Sequence, residues 1–157
     1  MRICTFRYRR LVIYILPVIL FTLCTVSIKA QQDTTLVAIG NVTGVPGELQ
    51  MTELKSVFRG ERQRWKDGTK VVIAMIKSTT PLGKAVSQKI YSMSGDEVRG
   101  FWARISFAGK FDPPNVFNTE AEVEVFVSQN PGTIAILNKV ITTTDVKTIL
   151  VSGKKTF

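Results

Sequence analysis

Five consecutive residues, Lys77-Ser78-Thr79-Thr80-Pro81, place one cation and three hydroxyls directly before a proline. The apolar run Val71 to Ile76 ahead of them has the length and β-branching of a buried strand. Proline suits the first turn of a helix, where its missing N–H would have no partner in any case. The spacing therefore predicts strand, short polar loop, helix. Such a loop points backbone N–H groups, hydroxyls and an ammonium at one spot, which is what a small oxyanion needs. The same residues also fit a plainer role, with Ser78 and Thr80 simply capping the helix. Gly132 and Thr133 have the same two readings. They can lend backbone N–H groups from a neighbouring loop, or they can form the turn that ends a helix before a strand.

Other chemistry has little to work with. The chain holds no histidine, which removes the usual general base and the commonest zinc ligand. Its two cysteines, Cys4 and Cys24, both fall in the first thirty residues. No serine sits in a nucleophile-elbow context, and Glu120, Glu122 and Glu124 form no convincing acid/base pair. We therefore expect no catalytic residues, no metal and no cofactor. Trp65, Phe101 and Trp102 read as packing. Arg59, Arg62, Arg64 and Lys66 read as a solvated charged face or a docking surface.

The elements that must position the loop follow from periodicity. Leu36 to Ile39 is a short strand, and Gly40 to Gly47 is glycine- and proline-rich loop. Thr52 is expected to cap a helix ending at Phe58, with Leu54, Val57 and Phe58 on one face. Asp67-Gly68 then signals a turn into the central strand. Leu82, Ala85, Val86, the Lys89 stem and Ile90 give a helical stripe after Pro81. Ser94 with Glu97 forms a capping box for a second helix, whose Val98, Phe101, Trp102, Ile105 and Phe107 are expected in the core. Gly109 to Asn115 reads as loop. Glu120 to Val127 alternates like a strand, yet Thr119 with Glu122 is a capping box, and Ala121, Val125 and Phe126 suit a helix face. Strands at Thr133 to Leu137 and Val146 to Val151 complete an α/β pattern.

At 157 residues the chain is one domain plus an N-terminal segment. Arg2, Arg7, Arg9 and Arg10 precede an apolar run from Leu11 to Ile28, and Ala30 supplies a small residue before Gln31. Residues 1–30 thus read as an export signal, or as an anchor that stays uncleaved, with the domain at 31–157 outside the cytoplasm. Any membrane association would run through that segment alone. Removing it takes away five cations and no acid, so the formal net charge falls from +9 to +4 and a nucleic-acid partner is not indicated.

Several stretches resemble a known family. Leu49 to Gly60 (LQMTELKSVFRG) and Trp65 to Gly68 (WKDG) look like the LTxxELxxIFxGxxxxWxDG segment of type 2 periplasmic binding proteins. Phe101-Trp102, Phe107 to Lys110 and Asn130 to Ile136 (NPGTIAI) extend the likeness, which is strongest to the phosphate-binding proteins of ABC uptake systems. It runs from about Leu36 to Leu150. The resemblance implies a single lobe of that α/β fold, a mixed central sheet with helices on both faces, and a helix at Thr119 to Val127. Full members hold their ligand between two such lobes, and this chain has length for one. The implied ligand is phosphate or a similar small oxyanion at Lys77, Ser78, Thr79 and Thr80, with Gly132 and Thr133 nearby. The implied partner is a transporter or other envelope protein. Where full phosphate binders carry an arginine followed by Ser-Gly-Thr, this chain has Lys77-Ser78-Thr79-Thr80. A lysine supplies charge without a bidentate fork. A protein that has kept the lobe and lost the ligand, serving as an envelope interaction module, is the alternative.

Overall fold

A computed structural model describes residues 35–109, 111–141 and 143–157. The reading of residues 1–30 lies outside them. The sheet grows outward from Val37–Asn41 (β1), where every residue is buried. Thr133–Leu137 (β5) and Val146–Val151 (β6) flank β1 antiparallel, with Ile39 opposite Ala135 on one side and Thr148 on the other. Val72–Ile76 (β3) joins β5 in parallel. Two short edge strands finish the sheet: Glu48–Leu49 (β2) beside β6 and Asn115–Phe117 (β4) beside β3. The order is β2-β6-β1-β5-β3-β4, a mixed sheet. Both central strands, β1 and β5, are buried at all five positions, which requires cover on both faces.

That cover comes from four helices: Met51–Phe58 (α1), Pro81–Val86 (α2), Gly95–Phe107 (α3) and Glu120–Gln129 (α4). A single π-turn, Ser87–Tyr91, continues α2. The α4 helix lies across β1, β3 and β5, while α1, α2 and α3 gather round the π-turn. Helix is therefore the correct reading of Thr119 to Val127. Its buried residues are Val123 and Val127, however, whereas Ala121 and Val125 face outward. The Thr119 hydroxyl accepts the Glu122 N–H at 3.2 Å, and the Glu122 carboxylate accepts the Thr119 N–H at 3.1 Å, so the capping box fixes where the helix starts. The Ser94–Glu97 box does the same for α3.

Other expectations change as well, among them Gly40, expected in loop, which lies in β1. Gln50, not Thr52, caps α1: the Glu53 carboxylate accepts the Gln50 N–H at 3.0 Å, so the reciprocal bond starts the helix two residues earlier. Lys89 is exposed and Ser87 joins the buried stripe instead, because the π-turn rotates the face away from 3.6-residue spacing, while Gly83 is buried under the Lys77 carbonyl. Phe107, placed in the core by its helical spacing, is 92% exposed at the last turn of α3.

Residues Asp33–Phe157 form one compact unit, and its core runs unbroken from Leu36 to Val151. A chain that begins at Gln31 therefore carries its own hydrophobic core, the requirement for independent folding.

Candidate functional site: the turn after the third strand

The chain leaves β3 at Ile76 and turns sharply. The Lys77 N–H donates to the Phe117 carbonyl at 2.9 Å, which ties the start of the turn to the end of β4. The Lys77 carbonyl accepts the Thr80 N–H at 3.0 Å and the Thr80 hydroxyl at 2.9 Å. That hydroxyl also accepts the Gly83 N–H at 3.0 Å, so Thr80 is the N-cap of α2, with Pro81 at its first position. The capping reading thus holds for Thr80, whose hydroxyl is fully occupied. Ser78 does not cap. Its side chain is nearly buried, and Arg99 Nη1 of α3 donates to its hydroxyl at 3.4 Å.

What remains of the turn is polar and largely unpaired. Among the described residues, the backbone N–H groups of Ser78 and Thr79 take no hydrogen-bond partner. Lys77 and Thr79 are exposed. Two carboxylates moderate the local charge. Asp96 pairs with Arg99 at 2.7 Å. Glu122 feels Lys77 weakly, and its carboxyl is held below the usual range chiefly by the backbone N–H groups of Asn118 and Thr119.

Two glycines set the turn in place. A methyl group on Gly83 would run into the Lys77 carbonyl, and one on Gly95 would lie 2.6 Å from the Ser78 carbonyl oxygen. The first turns of α2 and α3 therefore press on the loop backbone from two sides.

Gly132 and Thr133 stand elsewhere. Thr133 aligns with Val72 at the start of β3, whereas Lys77 follows its end. Five residues of strand separate them by roughly 16 Å. The Gly132 N–H donates to the Thr43 carbonyl at 2.9 Å, and its carbonyl accepts Trp65 Nε1 at 2.8 Å. Its φ of +75° and its approach to the Lys70 carbonyl call for glycine. Thr133 donates its N–H to the Asn130 carbonyl at 3.2 Å. These two residues build the turn into β5 and do not reach Lys77. Arg99 is the participant that sequence spacing missed. It lies 21 positions from Ser78, and only the close packing of Gly95 brings α3 there.

Trp102 and Trp65 are core residues, as expected. Trp102 Nε1 donates to the Tyr91 hydroxyl at 3.1 Å, and that hydroxyl donates to the Phe58 carbonyl at 2.6 Å. Burial pushes the Tyr91 phenol well above its ordinary range, so it stays a donor. Arg62 pairs with Glu53 at 3.4 Å, and Arg64 and Lys66 are exposed. Among the described residues, no cluster of acidic or thiol side chains is arranged to hold a metal ion.

No family model and no curated protein matches the sequence. Solved structures do match the fold. PstS from Borrelia burgdorferi superposes with a TM-score of 0.57 at 14% identity, over 76% of this chain and 48% of that one. An ABC-type phosphate transport receptor from Vibrio cholerae gives 0.54 at 16%, over 77% and 47%. A Clostridium perfringens protein whose structure holds bound phosphate gives 0.53 at 13%, over 76% and 46%. The chain has the α/β fold of phosphate-transport substrate-binding proteins and spans about half the length of the structures it matches. At these identities the likeness is one of fold.

Proposed function

We propose that this chain is an exported, non-catalytic binding module that holds a small oxyanion, phosphate among them, at Lys77, Ser78 and Thr79. The observation that carries the reading is the pair of unpartnered N–H groups at Ser78 and Thr79, beside an exposed ammonium. Donors already fixed in place need no rearrangement to bind an anion, and Lys77 adds charge. Thr80 acts by shaping the turn, since its hydroxyl is committed. Gly132 and Thr133 are left out of the site. Two of the matching structures are described as phosphate-transport proteins, and one of those two holds bound phosphate. By analogy, this module hands its anion to, or senses it for, a transporter or another envelope protein. Export rests on residues 1–30; among the described residues no helix is long and apolar enough to cross a membrane.

Calorimetric titration of phosphate into residues 31–157 tests this. Replacing Lys77 with alanine should weaken binding by about tenfold or more, the worth of one charged hydrogen-bond donor. Binding should also fall with added salt, because the site is open to screening. An affinity equal in the two proteins would refute the site. One observation favours the alternative of an envelope interaction protein without a ligand: Phe107 and Val116 present apolar surface at the end of α3 and on β4.

A further inference from the structure

The Lys77–Thr79 turn is one end of a longer feature. On α3, Val98 and Arg99, Trp102 and Ala103, and Ser106 and Phe107 recur three to four residues apart and so share one side of the helix. That side faces the end of β3 and the segment Pro113 to Val116 that leads into β4, and a groove of about 750 Å³ runs between them. The volume lies within the range of small-molecule sites and is several times what a tetrahedral oxyanion fills. Its walls are mostly apolar, with Met75, Ile76, Trp102, Ala103, Pro114 and Val116 contributing. Its charges are uneven. Among the described lining residues the only charged ones are Lys77 and Arg99, both cations and both at the turn end. Ser106 lies seven residues along α3 from Arg99, about 10 Å at the helical rise. Its hydroxyl oxygen is buried without a partner.

We infer that the ligand of this site is an amphiphilic organic oxyanion, with its anionic head at Lys77–Thr79 and an apolar body about 10 Å long in the groove. The inference rests on the anion-binding reading above and extends it. An inorganic ion would use the turn and leave the apolar walls to water. A ligand with an aliphatic or aromatic body gains from both. The charge pattern fixes its orientation, because Lys77 and the Asp96-paired Arg99 stand at one end and none of the described lining residues is acidic.

Methyl phosphate and n-octyl phosphate carry the same head, so comparing them on residues 31–157 isolates the body. Each fully buried methylene is worth about fourfold in affinity, so even partial burial should make octyl phosphate bind at least about tenfold tighter. Ala103→Trp, on the exposed rim of the groove, should shrink that ratio. Lys77→Ala should weaken both ligands. Equal affinity for the two phosphates would overturn the inference and leave the oxyanion reading standing. Octyltrimethylammonium binding as tightly as octyl phosphate would also overturn it, showing a greasy surface with no anionic end. Octyl phosphate binding that ignores Lys77→Ala would overturn the oxyanion reading itself.

Discussion

Gly95 packs so closely on Ser78 that a methyl group there would lie 2.6 Å from the Ser78 carbonyl oxygen. The contact brings the first turn of α3 onto the loop after β3, and with it Arg99. Two helices and one strand end thus meet at three residues.

Substituting Gly95 with alanine should therefore destabilise the domain, although alanine is the better helix former. The clash is with backbone, which cannot swing aside as a side chain can. A loss of about 1–3 kcal/mol is expected from urea unfolding, the usual cost of overpacking. Gly100→Ala, where the added methyl meets only Arg104 Nη1 at 3.5 Å, should be neutral or stabilise by up to about 1 kcal/mol. Equal losses at the two positions would show that the Ser78 contact does not constrain the turn.

Acid should unfold the protein through its helix caps. Backbone N–H groups lower the carboxyl pKa of Glu53, Glu97 and Glu122 below the ordinary 4.5. A group depressed in the folded state stabilises above its unfolded pKa and loses that contribution as pH falls through its folded value. The melting temperature should be flat above about pH 5.5 and decline below 4.5. Glu122→Gln should flatten part of that decline; an unchanged profile would rule the α4 cap out. Thr119→Ala, which removes the other half of the box, should cost about 1 kcal/mol at neutral pH.

Tyr91→Phe should cost about 1–3 kcal/mol, because it leaves the Phe58 carbonyl and the Trp102 indole N–H buried without their partner. Denaturant titration followed by Trp fluorescence measures it. A loss below about 0.5 kcal/mol would mean that water replaces the phenol.

Elements with a local signature could be read from sequence. The apolar run of β3, Pro81, and the capping boxes at Ser94 and Thr119 each state their structure within a few residues. At Thr119 the box competes with a clear strand-like alternation, and the family resemblance rather than the box decides for helix; in the fold both reciprocal hydrogen bonds of the box are made. Features made by tertiary contact were not legible. β4 has an exposed Asn115 and Val116 behind two prolines, so it reads as loop and becomes a strand only because β3 has an edge to offer. The exposure of Phe107 depends on where α3 ends relative to the sheet, which helical spacing does not report. The turn at Lys77–Thr80 was readable, and the cap role of Thr80 with it. The approach of Arg99 and the distance to Gly132 and Thr133 are set by sheet order and helix packing, which no stretch of residues encodes alone.

The central claim concerns two amide protons, and they can be watched directly. Amide ¹H–¹⁵N spectra of residues 31–157, recorded as phosphate is added, should show saturable shifts at Ser78 and Thr79 that exceed those at the Gly132 and Thr133 amides. The same shifts should be largely lost in Lys77→Ala. Ser78 and Thr79 resonances that stay still through millimolar phosphate, or that move equally in Lys77→Ala, would contradict an oxyanion site at this turn.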